Sequence, residues 1–595
     1  MKKQLPDRTY AKKVSEKENY MPYHHLLTPE GEKLLEQLAE NPDFCPWNRY
    51  PRPQLQRDSF FCLNGKWSFH AGDPSDTPEE TILVPFPPES RLSGIHRHMG
   101  KDPTLYYKRS FCLPEAFMRD RVLLHFGAVD QTARVMLNGQ ELGEHRGGYE
   151  AFTFDITEHL LAENTLEVYV TDKLSDRILP YGKQCEKRGG MWYTPISGIW
   201  QSVWLESVPN EYIRRLSVIP AADSVHISAD GISSGEICME TPEGTVHSSL
   251  QNGSADIRIP SPRHWSPEDP YLYRFTLHAG ADTVHSYFAL RTLGIREVNG
   301  KKVICLNGKP YFFHGLLDQG YVSDGIFTPA DPSVYTQDIE TVKSMGFNML
   351  RKHIKVEPEC FYYDCDRLGI VVFQDMVNNG TYHFLRDTAL PTVGIRRLPD
   401  KWMHRNPARR KAFAESMKNT VRQLYNHPCI CCWTIFNEGW GQFDGASMYR
   451  KLQELDASRI IDTASGWFAG VPTDVESIHV YFRPVRIRNC KKPYVLSEFG
   501  GYSCKIQDHS FDPDKTYGYR YFEDQFAFEN ALTALYVDEI LPAVKKGLCA
   551  AVYTQLSDVE EETNGLLTYD RKVCKVSAER MRMIAEKLYE AVYSR

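Results

Sequence analysis

Short alternating strands dominate the chain from about residue 60 to residue 206. Apolar and polar side chains alternate at 121–126, 133–137 and 165–170, and the dipeptide Asn138-Gly139 follows the second of these runs. Alternation with a period of two residues is typical of strands with one buried face, and Asn-Gly beside such a run indicates a hairpin. Helical periodicity is nearly absent here. The pattern therefore predicts a β-sandwich.

A second stretch without helical periodicity runs from about residue 210 to residue 297. Its length and the spacing of its short strands fit a small immunoglobulin-like sandwich. We expect this domain to act as a spacer between the first sandwich and the rest of the chain.

The pattern changes after Gly300, where short apolar runs begin to alternate with amphipathic helical stretches. Such alternation is typical of a parallel sheet covered by crossover helices. Eight strand candidates lie at 309–315, 348–353, 370–374, 430–436, 460–464, 477–481, 494–498 and 548–555. Helices are expected between them, for example at 335–345, 408–425, 448–455 and 524–544. Eight such units match the usual size of a closed (β/α)8 barrel, also called a TIM barrel.

These regions define the predicted fold class, a multidomain β plus α/β protein. The predicted domains are residues 1–208, an N-terminal extension with the first sandwich, residues 209–297, the immunoglobulin-like sandwich, and residues 298–595, the barrel. At 595 residues the chain is too long for a single hydrophobic core, so several domains are expected on size alone.

Composition and charge argue against several classes of function. A net charge of −7 over this length, without a run of Lys or Arg, gives no indication of nucleic acid or a membrane surface as a partner. Residues 1–13 lack the apolar stretch of a secretory signal, and no apolar run approaches the length of a membrane span. The 15 cysteines are odd in number and scattered, which favours reduced thiols. We therefore predict a cytoplasmic protein.

Two glutamates stand at the ends of predicted barrel strands, where barrel enzymes carry their chemistry. Glu438 follows the fourth strand, directly after Asn437, and Glu498 follows the seventh. A pair of carboxyl groups across a barrel mouth suits hydrolysis of a glycosidic bond, because one donates a proton to the leaving oxygen and the other meets the positive charge at the anomeric carbon. Either glutamate taken alone would more often be a solvated loop charge.

Other polar residues at strand ends complete the predicted constellation. Asn437 can hydrogen-bond a sugar 2-hydroxyl, and Arg351, at the end of the second strand, can keep Glu498 ionised. Tyr481 ends the sixth strand and can orient Glu498 through its hydroxyl. The alternative for Arg351 is a structural role. If both glutamates point inward, their carboxyl groups should lie about 5 Å apart, the spacing for retention of configuration.

Two histidines and three cysteines in the barrel have simpler interpretations. His353 and His479 are interpreted as hydrogen-bonded barrel residues, although His479 stays among the candidates for contact with a sugar. The cysteines at 429, 431 and 432 are interpreted as buried apolar residues. No metal ion or other cofactor is therefore predicted.

With these motifs in order, the sequence resembles glycoside hydrolase family 2, which contains β-galactosidases, β-glucuronidases and β-mannosidases. The resemblance rests on Ser-Gly-Ile-Trp at 197–200, Asn-Gly-Lys-Pro at 307–310, Asn-Met-Leu-Arg at 348–351, Asn-His-Pro at 426–428 and Ser-Glu-Phe-Gly at 497–500, with further matches at 106–111, 135–139, 265–273, 288–294 and 433–438. It implies a jelly-roll sugar-binding sandwich at the N-terminus. It also implies that Glu438 is the acid/base and Glu498 the nucleophile.

Departures from the family pattern bear on the substrate. Family glucuronidases carry an Asn-x-Lys segment after the eighth strand, and here Glu562-Thr563-Asn564 takes its place, which disfavours an acidic sugar. Val377-Asn-Asn-Gly-Thr381 stands where the magnesium-dependent β-galactosidases have a Glu and a His, so no metal is implied.

Four further residues are candidates for contact with the sugar. Asp318 is a possible hydroxyl ligand or a structural residue, and Asn564 occupies the place of the family lysine. Tyr553 stands in place of the usual tryptophan on the eighth strand and is expected to form a stacking wall under the sugar. Arg188 lies in the sandwich loop that reaches the sugar in relatives, and it leaves room for an acidic substrate.

These observations predict a retaining exo-β-glycosidase that removes a terminal non-reducing sugar by double displacement. A β-D-galactoside is the first choice of substrate. Alternatives are a β-galacturonide or glucuronide, a β-mannoside or an α-L-arabinoside, and a more remote one is a non-catalytic carbohydrate-binding protein. The expected partner is an oligosaccharide or glycoside, and a homo-oligomer is possible on the family pattern.

Overall fold

The computed structural model describes residues 26–392, 399–468, 470–487 and 491–593. Within these ranges the chain forms a jelly-roll sandwich, an immunoglobulin-like sandwich and an eight-stranded parallel barrel, in that order. The predicted fold class is therefore confirmed. No helix within the described ranges combines the length and the apolar character needed to cross a membrane.

The first sandwich packs a four-stranded antiparallel sheet against a six-stranded one. The strands of the first sheet, in spatial order, are Phe61–Cys62, Val203–Val208, Arg121–Phe126 and Phe152–Asp155. Those of the second are Glu80–Val84, Gly65–His70, Thr104–Phe111, Asn164–Thr171, Thr132–Leu137 and Gln140–Arg146. Strand Asn164–Thr171 alternates buried and half-buried positions along its length, so one face supplies the apolar core, as the period-two pattern predicts.

The middle domain contains seven antiparallel strands around a separate apolar core. In spatial order they are Arg215–Pro220, Ser224–Asp230, Ser254–Arg258, Gly244–Gln251, Ser234–Thr241, Tyr273–Ala279 and Asp282–Phe288. A three-stranded ribbon, Leu293–Val298, Lys301–Leu306 and Lys309–Pro310, then leads into the barrel. The predicted junction between residues 297 and 298 falls inside the first strand of this ribbon.

The barrel strands run parallel in the spatial order five, four, three, two, one, eight, seven, six. From one to eight they are Phe313–Asp318, Met349–Lys352, Val371–Asp375, Ile430–Asn437, Ile460–Ser465, Glu476–Val480, Tyr494–Gly500 and Leu548–Thr554. Nearly every strand residue is buried, because the barrel interior covers one face and helices cover the other. Strands five and six close the ring through side chains, with Ser465 Oγ 3.3 Å from Ser477 Oγ.

Helices lie outside the barrel, and one of them comes from the N-terminal extension. The helices are Pro29–Glu40, Ser333–Ser344, Glu359–Leu368, Leu390–Thr392, Pro407–Leu424, Gly445–Leu455, Gln525–Ala534, Leu541–Lys545 and Ala578–Tyr593. Helix Pro29–Glu40 begins at Thr28, whose hydroxyl donates to Asp324 at 2.5 Å, and Leu34 belongs to the barrel core cluster. The helix thus packs on the barrel, whereas Arg52, further along the extension, pairs with Glu206 of the sandwich.

The first barrel strand differs from the prediction of 309–315. Lys309–Pro310 pairs antiparallel with Lys301–Leu306, and the parallel strand begins only at Phe313. Apolar Tyr311 and Phe312 join the two elements, so the pattern alone did not separate the ribbon from the strand. This shift places Asp318, and not residue 315, at the strand's carboxyl end.

Candidate active site

Strands four and seven bring Glu438 and Glu498 to the same end of the barrel. One oxygen of each carboxyl group and a nitrogen of His479 all lie within 4.8 Å of one another. Glu438 follows the end of strand four in a left-handed conformation, with φ of 51°. Gly439 continues the turn with φ of 71°, and a Cβ there would meet the Phe468 ring at 2.0 Å. The turn is therefore closely packed, which fixes where the Glu438 side chain begins.

Glu498 is held at both carboxylate oxygens. Its Oε1 accepts from Arg351 Nη1 at 3.0 Å, and its Oε2 accepts from the Tyr481 hydroxyl. Burial raises the pKa of Glu498, but the neighbouring His479 and Arg351 charges outweigh burial and lower the pKa to about 2. Glu498 is therefore an ionised carboxylate in a fixed orientation at neutral pH.

Arg351 is the hydrogen-bonding centre of this arrangement. Its Nε and Nη2 donate to the two oxygens of Asp375 at 3.0 and 2.9 Å, and its Nη2 also donates to Asn437 Oδ1 at 2.9 Å. Asp375 in turn lies 2.7 Å from His353 Nδ1. Because the guanidinium is planar, these contacts fix the orientations of Glu498 and Asn437 together. They also turn the amide nitrogen of Asn437 away from Arg351.

His479 stands between the two glutamates. Its Nδ1 lies 2.7 Å from Glu438 Oε1 and 3.5 Å from Glu498 Oε2. Its Nε2 lies 3.1 Å from Ser465 Oγ, and Ser465 in turn donates to Ser497 at 2.9 Å. The serine contact fixes the ring, so His479 positions the Glu438 carboxyl group. This is more than the structural role expected from the sequence.

The jelly-roll domain forms one side of the pocket through residues 181–194, here called the sandwich loop. The Tyr193 hydroxyl donates to Glu562, and Thr194 N donates to Glu560 Oε1 at 2.8 Å. The Tyr181 hydroxyl donates to the Gly380 carbonyl at 2.7 Å. The loop therefore contacts the barrel both after strand three and after strand eight.

Three predicted sugar-contact residues are engaged by other protein groups. Asp318 accepts from Lys352 Nζ at 2.6 Å and from Gly320 N at 2.8 Å. Asn564 donates to Glu562 at 2.9 Å and accepts from Gln555 at the same distance.

Arg188 is the third of these residues. It lies 3.5 Å from Glu560 and 4.7 Å over the Phe511 ring. Its positive charge is offset by Glu560, as the negative charge of Asp318 is offset by Lys352. Neither charge is therefore free for a ligand.

Tyr553 departs from the expected stacking wall. The side chain is fully buried, and its ring packs edge-on against Phe499 and closely over Gly500. Successive strand residues point to opposite faces, so Thr554 takes the pocket-facing position, with Oγ1 3.2 Å from the Tyr481 hydroxyl. The prediction failed because the side on which a strand residue lies depends on its register in the sheet.

Sequence reasoning missed several residues of the site. Asp375 ends strand three one residue beyond the predicted strand, so a carboxylate at a strand end was a signal that could have found it. Lys183 and Glu562 come near one another through the packing of two domains, where Tyr193 contacts both, and no local pattern marks their proximity. The serines at 465, 477 and 497 connect strands five, six and seven, and as isolated small polar residues they carry no sequence signal.

One group in the described part of the chain has the spacing to hold a metal ion, namely Glu438, His479 and Glu498. Both oxygens of Glu498 already accept hydrogen bonds from Arg351 and Tyr481. The negative charge of Glu498 is therefore already offset by protein groups.

Comparison with known families identifies the class of protein. The model for the sugar binding domain of glycosyl hydrolases family 2 matches residues 95–209, a second model described as glycosyl hydrolases family 2 matches residues 224–296, and the model for the family's TIM barrel domain matches residues 297–505. The three matches follow the order of the three domains. The chain belongs to glycoside hydrolase family 2.

Individual relatives carry different substrate names. A β-galactosidase from Thermoanaerobacter pseudethanolicus is 27% identical over 69% of this chain and 58% of its own length, so the match covers less than two thirds of that protein. A β-glucuronidase from Sus scrofa is 26% identical over 73% of each chain. A solved β-galacturonidase from Eisenbergiella tayi, bound to galacturonate, superposes with a TM-score of 0.66 at 19% identity over 91% of this chain and 99% of that one.

Proposed function

We propose that this protein is a retaining exo-β-glycosidase, with Glu498 as nucleophile and Glu438 as acid/base. One observation carries the proposal: oxygens of the two carboxyl groups lie within 4.8 Å of one another at the ends of strands four and seven. Retaining enzymes hold their carboxyl groups about 5 Å apart, whereas inverting enzymes leave a wider gap for a water molecule. The sandwich loop supports exo action, because it blocks one side of the pocket.

In the first step a Glu498 oxygen attacks the anomeric carbon, and the bond from that carbon to the leaving oxygen breaks. Glu438 donates its proton to the leaving oxygen, so the aglycone departs as a neutral alcohol. The negative charge of Glu498 is consumed in the new ester bond. Asn437 supports this step, because its amide group is positioned by Arg351 to meet a sugar hydroxyl.

In the second step Glu438, now a carboxylate, takes a proton from a water molecule that attacks the same carbon. The ester bond to Glu498 breaks, and the carboxylate returns to its contacts with Arg351 and Tyr481. Two inversions at one carbon give net retention. Glu438 suits this exchange because its side chain is 24% exposed, compared with 6% for Glu498, so water reaches it.

For the sugar itself we propose a terminal β-D-galactoside. Support comes from the similarity to a β-galactosidase and from the carboxylate partners of three cations, Arg188, Lys352 and Arg351. The charges of these three residues are therefore already offset by the protein and are not left for an acidic sugar.

The test is a panel of p-nitrophenyl glycosides followed by proton NMR of the first sugar released. The expected result is fastest hydrolysis of the β-galactoside with the β-anomer of galactose formed first. Initial release of the α-anomer would exclude double displacement, and a panel without any hydrolysis would exclude the glycosidase.

A further inference from the structure

The sandwich loop contributes one buried cation, Lys183, that the catalytic arrangement does not use. The residue is only 9% exposed. Among the described residues its ammonium has neither a hydrogen bond nor a carboxylate oxygen within 4.0 Å, unlike the other buried lysines of the barrel mouth, Lys352 and Lys355. The nitrogen itself does not belong to the fully buried polar atoms without a partner, so it is open to the pocket, where an unpaired cation can bind a ligand.

The backbone around Lys183 is fixed on both sides. Its carbonyl accepts from Tyr193 N at 3.1 Å, and the Gln184 side chain donates to Asp130 at 2.8 Å. Gly182 has φ of 68°, and a Cβ there would lie 3.0 Å from the Ile354 carbonyl oxygen. The loop therefore passes too close to the barrel for a side chain at 182, and the start of the Lys183 side chain is held in place.

Glu562, which follows strand eight, is a carboxyl group whose pKa is influenced by Lys183. Burial raises the pKa of Glu562, and the Lys183 charge is the largest influence that opposes the rise. Tyr193 joins the two residues, because its amide donates to the Lys183 carbonyl and its hydroxyl donates to Glu562. Lys183 and Glu562 thus lie on the two sides of Tyr193, and no ion pair within 4.0 Å joins them.

This region adjoins the reacting groups. Burial lowers the pKa of His353, the Asp375 contact raises it, and Lys183 lowers it further. Glu498 in turn raises the pKa of Glu562. Lys183 and Glu562 therefore lie within electrostatic range of the nucleophile and of the residue beside it, on the side of the pocket that the sandwich loop closes.

An ammonium and a carboxylate on either side of Tyr193 can together bind a hydroxyl group, which accepts from the first and donates to the second. A carboxylate ligand would gain the Lys183 contact but would meet the negative charge of Glu562 at similar range. Arg188, the other cation that the sandwich loop brings to this side, does not offset that repulsion because it is paired with Glu560. The local charge balance therefore favours a neutral sugar.

We propose that Lys183 and Glu562, one from each of two domains, bind a single hydroxyl of a neutral glycone and exclude hexuronides. This inference rests on the proposed glycosidase function and deepens it. Sites built to pair a hydroxyl discriminate strongly against analogues without it, because their own polar groups are then left unpaired.

The experiment compares Lys183→Met with a control, Lys187→Met, on the same loop, where Lys187 is exposed. Substrates are p-nitrophenyl β-D-galactoside, its monodeoxy analogues and p-nitrophenyl β-D-galacturonide. Lys183→Met is expected to lower kcat/KM on the galactoside by about 10²-fold, as loss of a charge-assisted hydrogen bond implies. On one deoxy analogue, the one without the bound hydroxyl, the variant and the parent protein should be nearly equal. Lys187→Met should leave all values unchanged.

A second variant, Glu562→Gln, keeps hydrogen bonds to Tyr193 and Asn564 possible and removes the charge. It is expected to lower kcat/KM on the galactoside by about 10-fold. Relative to the galactoside, kcat/KM on the galacturonide should rise. Equal losses on every deoxy analogue would overturn the proposal, because they would indicate a structural role.

The proposal would also be overturned if the parent protein preferred the galacturonide and Lys183→Met lost only the activity on that substrate. Glu498→Ala with azide distinguishes these failures from failure of the glycosidase itself. If that variant forms a glycosyl azide, the catalytic proposal stands whatever the Lys183 variants do.

Discussion

The two glutamates proposed as the catalytic pair have contrasting surroundings. Glu498 is 6% exposed, and both of its oxygens accept hydrogen bonds from the protein. Glu438 is 24% exposed and contacts His479 at one oxygen. The difference follows the chemistry, because a nucleophile must stay ionised in one orientation, whereas an acid/base must exchange protons with substrate and water.

Removing the nucleophile should give the largest effect. Glu498→Ala is expected to lower kcat by at least about 10⁴-fold, because no other carboxylate is placed to form the glycosyl ester. Azide should restore turnover and give a glycosyl azide with the opposite anomeric configuration. The control is Glu476→Ala, at the amino end of strand six, which should keep full activity. Unchanged turnover in Glu498→Ala would contradict the assignment.

Removing the acid/base should depend on the leaving group. Glu438→Ala is expected to slow hydrolysis of substrates with poor leaving groups by about 10²–10⁴-fold. Dinitrophenyl glycosides should be slowed far less, because dinitrophenolate departs without a proton. A plot of log kcat/KM against the pKa of the leaving alcohol should therefore steepen. Equal loss on all leaving groups would indicate that Glu438 does not donate the proton.

Replacing Arg351 tests what keeps Glu498 ionised. In Arg351→Met the pKa of Glu498 should rise from about 2 toward its ordinary value of 4.5, because a guanidinium charge at 3.0 Å is lost. The acid limb of kcat/KM should move to higher pH. If the acid limb of kcat/KM stays at the same pH, His479 alone, and not Arg351, keeps Glu498 ionised.

The same variant has a consequence for stability. The folded pKa of Glu498 lies below 4.5, so the ion pair stabilises the fold above about pH 4.5 and this contribution is lost as the pH falls toward about 2. That part of the pH dependence should shrink in Arg351→Met. Asp375 also loses its guanidinium partner and keeps only His353, so the free energy of unfolding should fall by about 3–5 kcal/mol. Denaturant titration between pH 3 and pH 7 measures both effects.

Removing the Tyr481 hydroxyl should give the smallest of these effects. Tyr481→Phe is expected to lower kcat by at most about 10²-fold, because Arg351 still holds the other oxygen of Glu498. KM for the same substrate should change little. A loss as large as that in Glu498→Ala would show that the hydroxyl takes part in the chemistry directly.

Much of the barrel could be predicted from sequence because its strands are continuous apolar runs. The predicted strand at 460–464 matches Ile460–Ser465, and the predicted strand at 494–498 matches the start of Tyr494–Gly500. Burial on both faces imposes this composition, so the signal is strong. Before strand one, the apolar residues Tyr311 and Phe312 follow directly on the ribbon strand Lys309–Pro310, and for that reason the boundary there was placed too early.

The order of strands and the positions of Glu438, Glu498, Arg351 and Tyr481 at their ends were determined by the sequence itself, because a parallel barrel collects the carboxyl ends of its strands on one face. Only the tertiary structure decided which face of strand eight Tyr553 occupies, since a shift of one residue reverses every side chain. It alone also brought Lys183 and Glu562 into one pocket. Contacts between domains depend on how separate surfaces pack, and no local pattern encodes them.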